Sequence, residues 1–322
     1  MERTMPPSQP MPDNPTPHTF YFGPFRFDSE MDIPELRASA GTGERLVSLR
    51  LGGVPATIAN STPYGSQCHV STTEYLLDIP GTARYYVTHG NQVRVDFAPG
   101  TPIADVTTYL LGSVFGVLCH QNGLLPLHAS AVEHAGEVTA FLGDSGAGKS
   151  TLAACLQRRG HTIVSDDICL LESTATDLRV IPVAGWLKLW NQSLQFLGES
   201  PDEQHRVFST DDKYRLFLAD AASPQLRLAR IVFLSRDPDP DLAAQPTLQP
   251  LDGPDAMAAL MDTVYAPYVP ALTGQRARTF RQCARAIQQA HVFRLTAPWG
   301  LDRLDAVLDR LEHEIRKPAT TA

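Results

Sequence analysis

Gly143-Asp144-Ser145-Gly146-Ala147-Gly148-Lys149-Ser150 fits the pattern G-x-x-x-x-G-K-[ST] at every position. The chemistry this spacing serves is the cradling of phosphate. Glycines at 143, 146 and 148 let the backbone enter φ > 0 and turn its N–H groups inward as an anion nest. Lys149 adds a point charge suited to β- and γ-phosphates, and Ser150 a hydroxyl suited to Mg²⁺. Val138 to Leu142 before the loop reads as a buried strand; Thr151 to Arg159 after it reads as a helix stopped by Gly160. Strand, loop and helix in that order aim a helix N-terminus at the phosphates. Gly143 to Thr151 is thus a candidate nucleoside triphosphate site.

A second group belongs with it. His161 to Ser165 reads as a strand that delivers Asp166 and Asp167 at its C-terminal end, where α/β sheets gather ligands. One carboxylate there can hold Mg²⁺, directly or through water, and the other can take a proton from an attacking hydroxyl. His69, beside Cys68, has no second ligand at metal spacing and reads as an ordinary strand or loop histidine.

The elements that position these groups follow from composition and period. The chain has 322 residues, 43% hydrophobic and 19% charged, enough for one large domain or two ordinary ones. Twenty-seven basic and 35 acidic residues give a net charge of −8, which argues against a general nucleic-acid surface. Five scattered cysteines form no C-x-x-C pair, which suits a reducing cytoplasm and packing roles. The N-terminus lacks a secretory pattern, and the apolar run Tyr109 to Cys119, interrupted by glycines, is too short to span a bilayer. No membrane association is expected.

Residues 1–18, rich in proline, read as a disordered tail. Residues 19–101 carry short strand signals at Thr19–Phe22, Phe25–Phe27, Leu46–Leu51, Tyr85–Thr88 and Gln92–Phe97, a β-rich N-terminal unit. Residues 102–322 are expected to form a P-loop catalytic domain. It opens with a buried helix over Ile103 to Gln121, in which Gly112 and Gly116 allow close packing. A strand follows Leu124 to Glu133. Strands are expected at Ile168–Glu172, Val180–Val183, Leu228–Leu234 and His291–Leu295, and helices at Gln192–Leu197, Asp255–Val264, Gln275–Ala290 and Leu301–Arg316. Asp237 to Pro254 reads as a surface loop with one short strand.

His128, the loop Gly143 to Ser150, and Arg159-Gly160-His161-Thr162-Ile163-Val164-Ser165-Asp166-Asp167 together resemble the catalytic domain of HPr kinase/phosphorylase in letters and spacing. The wider layout, including Tyr21 to Phe25, Leu111-Gly112-Ser113, Leu127 to Ala131 and Lys188-Leu189-Trp190, is similar to HPr-kinase-like proteins of peptide-biosynthesis clusters such as lasso-peptide kinases. The resemblance implies an α/β fold, a P-loop-containing mixed-sheet kinase core. It makes Asp167 the general base, with Asp166 supporting the metal or the base and His128 beside the reacting groups. Lys149 and Ser150 keep their phosphate and Mg²⁺ roles. The glutamate-arginine-glycine stretch of that family is absent; Trp186 to Trp190 occupies roughly its place, and Lys188 or Lys213 is a candidate to meet the transferred phosphoryl group.

The expectation is an ATP-dependent kinase acting with Mg²⁺ on a Ser or Thr hydroxyl of a peptide or small protein. Two alternatives stand beside it: a kinase for a small metabolite such as free serine, and a non-catalytic ATP-binding partner module. A homo-oligomer is open, as family members form oligomers.

Overall fold

In the computed structural model the protein is described over residues 18–37, 41–174, 177–183, 185–218, 226–236, 245–297 and 300–318. The proline-rich tail lies outside these, except that His18 already belongs to a strand.

The first seven strands are β1 (His18–Ser29), β2 (Gly41–Leu51), β3 (Thr62–Tyr64), β4 (Cys68–Val70), β5 (Glu74–Ile79), β6 (Ala83–Thr88) and β7 (Gln92–Asp96). They form one sheet in the order β1-β2-β7-β6-β5-β4-β3. The two strand signals at 19–22 and 25–27 are one continuous strand, with Gly23 at φ 55° and a register shift between Gly23 and Phe25. The glycine makes an irregularity rather than an end. Strands β3 to β5 escaped the sequence reading; β3 and β4 have three residues each, too short for period 2 to show.

Ile103–Gln121 is helical throughout, with a π-helical turn at Leu110–Val114. This is the buried helix expected over these residues. The 19-residue helix is long and apolar enough to cross a membrane by length and composition, but 72% of its apolar window is buried inside the protein. It packs on the seven-stranded sheet in a core with Phe25, Tyr85 and Val95. Gly112 and Gly116 let Tyr265 lie against it: a Cβ at Gly116 would sit 2.8 Å from the Tyr265 ring. His120 Nε2 donates to the Tyr265 carbonyl at 2.7 Å, and burial lowers its pKa to about 4, so the ring is neutral.

The second sheet is mixed and nine-stranded. It contains β8 (Leu125–Leu127), β9 (Ala129–His134), β10 (Glu137–Leu142), β11 (Thr162–Ser165), β12 (Cys169–Ser173) and β13 (Leu178–Ile181). After a separate three-stranded sheet of β14 (Trp186–Trp190), β15 (His205–Arg206) and β16 (Lys213–Phe217), the chain returns with β17 (Leu226–Arg236), β18 (Thr247–Pro250) and β19 (His291–Ala297). The order is β11-β9-β10-β17-β13-β12-β8, with β19 also on β17 and β18 on β19. Strand β10 pairs β17 in parallel and β9 antiparallel.

Both faces of this sheet are covered, which is why β10 reads as an unbroken apolar run. Val138, Ala140 and Leu142 face a core shared with helices Gly253–Asp262 and Arg276–Gln289. Phe141 faces another, shared with helices Lys149–Arg158 and Leu304–Ile315 and with Leu187 and Leu189 of β14. Burying each such aliphatic side chain stabilises the fold by about 1.5–3 kcal/mol. The five cysteines are buried and free, in keeping with packing roles.

Candidate functional site

Strand β10 leads into the glycine-rich loop, and the loop into helix Lys149–Arg158. Gly143, Gly146 and Gly148 have φ of 146°, 80° and 90°. A Cβ on Gly143 would lie 3.0 Å from the Leu234 carbonyl of β17, so the turn passes too close to the neighbouring strand for a side chain. Gly148 takes the N-cap position in the left-handed region, and no side chain caps the helix. Its first-turn N–H groups therefore face the loop's concavity without a side-chain acceptor, an arrangement suited to an anion. The far end closes as a Schellman motif: Gly160 N–H donates to the Gln157 carbonyl at 2.9 Å and His161 N–H to that of Leu156 at 3.1 Å.

Lys149 is 7% exposed, and its Nζ donates to the carbonyls of Gly143 at 2.8 Å and Asp144 at 2.9 Å. Burial pushes this ammonium below its ordinary value, Asp166 and Asp167 draw it back up, and Lys213 pushes it down. Thr151 Oγ1 lies 2.9 Å from Ser193 Oγ, tying the helix start to Asn191–Phe196.

Strand β11 delivers the two aspartates as the sequence predicts. Asp166 accepts from Ser130 Oγ at 2.6 Å and from the Lys188 backbone N–H at 2.7 Å, one bond on each oxygen. Asp167 has φ 69°, a left-handed conformation that aspartate tolerates better than most residues. Its Oδ2 accepts from Lys188 Nζ at 2.7 Å, and its Oδ1 is 3.3 Å from His128 Nδ1. Burial alone would raise this carboxyl; the Lys188 ammonium, then His128, outweigh it and hold Asp167 well below the usual carboxylate range.

His128 interrupts the path between β8 and β9. Its N–H donates to the Thr263 carbonyl at 2.7 Å, and the ring is half-buried beside Asp167. The resemblance puts His128 beside the reacting groups; in the structure its ring lies against Asp167.

His128, residues 145–151, Asp166, Asp167 and Lys188 all line one cavity of about 360 Å³, which also takes in Trp190, Lys213 and Leu304. Gly143 and Asp144 lie just behind, where their carbonyls hold Lys149. Among the described residues no group of three or more His, Cys, Asp or Glu could hold a metal ion. Mg²⁺ needs no such group, since it takes one or two protein ligands and completes its shell with phosphates and water. Ser150 and Asp166 can serve, since each Asp166 oxygen keeps a lone pair beyond its one bond.

Sequence reasoning missed Ser130 and Trp190 and left Lys188 uncommitted. Ser130 carried no signal. Lys188 carried a faint one, a lysine alternating with Trp186 and Trp190 on one face of a strand.

No protein-family model matches the chain, and no curated protein matches it. Among solved structures, it is similar to the Hpr(Ser) kinase/phosphatase from Coxiella burnetii, at 15% identity and a TM-score of 0.29, over 59% of this chain and 96% of that one. The similarity is distant, and neither family membership nor activity follows from it.

Proposed function

We propose that the protein is an ATP-dependent kinase that transfers the γ-phosphoryl group to a Ser or Thr hydroxyl of a peptide or small protein. One observation carries this reading: the Asp167 carboxylate, held by Lys188 and His128, lines the same cavity as the glycine-rich loop and Lys149. Phosphate capture and proton acceptance thus face one space.

The loop amides and Lys149 would bind the donor's phosphates, while Ser150 and Asp166 would hold Mg²⁺. Bound there, the metal supplies charge neutralisation on the phosphate oxygens. In transfer the acceptor's oxygen bonds to the γ-phosphorus as the β–γ bridging P–O bond breaks, ADP leaves, and the hydroxyl proton passes to Asp167. Asp167 stays ionised at physiological pH and so accepts rather than donates. His128 and Lys188 orient it from two sides. Positioning and charge neutralisation provide most of the rate. A peptide is favoured over a small metabolite because Trp190, which lines the cavity, is 51% exposed and offers an apolar surface to a chain.

The test is incubation of the purified protein with Mg²⁺, γ-labelled ATP and candidate acceptors, precursor peptides encoded beside its gene and free serine, with Asp167→Asn in parallel. Label on a peptide hydroxyl, lost in the variant, is the expected result. Label on free serine alone selects the metabolite kinase. Nucleotide binding without transfer to either overturns the kinase reading and leaves a nucleotide-binding partner module.

A further inference from the structure

Three lysines line the cavity, and they are not equivalent. Lys149 rests on loop carbonyls and Lys188 on Asp167. Lys213 has neither arrangement. Its Nζ stands 5.6 Å from the centroid of the Trp190 ring, its cross-strand register partner, and among the described residues no carboxylate lies in ion-pair reach. The adjacent acid, Asp212, accepts from Tyr214 Oη and from Asn191 instead. Two residues along β16, Arg215 is buried against Glu35 at 3.4 Å and Thr108 Oγ1 at 2.6 Å, which anchors the strand that carries Lys213. The ammonium is thus held in place by an aromatic shelf and a fixed strand. It faces a space already bearing Lys149 and Lys188, without an anion of its own.

An ammonium without a carboxylate partner, in a cavity that two further lysines line, suits an anionic ligand. Lys188 lies on the same strand face as Trp190, two residues away, and reaches Asp167. The place between Lys213, Lys149 and Asp167 is therefore where the group in transfer would sit. We infer that Lys213, shelved on Trp190, is a second phosphate-binding residue that takes the donor's terminal phosphoryl group and so favours a nucleoside triphosphate over a diphosphate. This rests on the kinase reading above. The alternative source of the same negative charge is an acidic side chain on the acceptor.

The experiment measures binding of Mg²⁺ with a non-hydrolysable ATP analogue, and of Mg²⁺ with ADP, to the full chain and to Lys213→Met, Lys213→Arg and Trp190→Leu. Steady-state transfer and thermal melting accompany it. Lys213→Met should weaken the triphosphate analogue about tenfold to a hundredfold, the worth of one charge-assisted hydrogen bond, with ADP affinity within about twofold. It should lower kcat without changing the acceptor KM. Lys213→Arg should recover most of the loss, and Trp190→Leu should give a smaller loss of the same kind. Equal weakening of both nucleotides, no weakening of either, or an effect confined to the acceptor KM overturns the inference; the last assigns the lysine to the acceptor. Wild-type protein that binds neither nucleotide overturns the kinase reading as well. Wild type that transfers phosphate while the well-folded Lys213→Met matches it overturns this inference alone.

Discussion

The two ends of helix Lys149–Arg158 handle charge in opposite ways. At its N-terminus Lys149, Lys188 and Lys213 line a cavity with Asp166 and Asp167; Lys188 pairs with Asp167, and among the described residues Lys213 has no carboxylate partner. At its C-terminus Arg159 meets Asp309 at 2.6 Å, Glu312 at 2.8 Å and Asp305 at 3.0 Å, all on helix Leu304–Ile315, and His161 lies 3.3 Å from Glu312. One end opens on a cavity; the other is closed as a clamp against helix Leu304–Ile315. The difference separates two readings that a charged cluster always permits. Matched charge with its partners on hand is structural, and unmatched charge over a cavity points to binding.

The sharpest way to break this contrast is a substitution at each end. Asp167→Asn keeps the shape and removes the proton acceptor, so transfer should fall by about 10²- to 10⁴-fold. Nucleotide affinity, read by titration calorimetry, should hold. Arg159→Ala should leave kcat within about twofold and lower stability by about 1–2 kcal/mol, measured by urea unfolding. Equal loss of activity in both would erase the distinction. Two glycines sharpen it further. Gly143→Ala adds a Cβ 3.0 Å from the Leu234 carbonyl at φ 146°, and should weaken nucleotide binding about tenfold by displacing the loop. Gly160→Ala meets nothing within 4 Å but is forced to φ 95°; it should cost about 1 kcal/mol of stability and no nucleotide affinity.

The same contrast explains what was legible in the sequence. The glycine-rich loop and the paired aspartates were visible because their residue types recur at short spacing, and each strand–turn unit is local. The run from Arg159 to Asp167 reads as one motif, yet the fold divides it: Arg159 and His161 stay at the clamp while β11 carries the aspartates across to the cavity. Spacing along a chain does not say which end of a helix a residue serves. Ser130, Trp190 and the setting of Lys188 and Lys213 depend on sheet pairings between residues far apart, and nothing local encodes them. The parallel pairing of β1 with β2 was hidden for the same reason. The long segments fared better, since helices such as Arg276–Gln289 and Leu304–Ile315 repeat their apolar period often enough to be read.

The smallest effect concerns acid, and it tests whether the clamp is electrostatic at all. Burial would raise Glu312, but hydrogen bonds from Arg159, Arg316 and His161 outweigh it and lower its pKa from 4.5 to about 2. A carboxyl depressed in the folded state stabilises fully above its unfolded value, so the contribution is complete above about pH 4.5 and is lost as pH falls toward 2. His161 acts in the same sense nearer neutrality. Burial lowers its pKa, so protonation favours the unfolded chain once pH drops below 6.5. Glu312→Gln should therefore be less stable than wild type by about 1 kcal/mol at pH 7, the scale of a partly exposed ion pair. In urea midpoints the gap should hold down to about pH 4.5, close toward pH 2, and narrow at 1 M salt. A gap that stays constant across pH and salt would make the clamp a matter of packing, and the contrast between the two helix ends would lose its electrostatic basis.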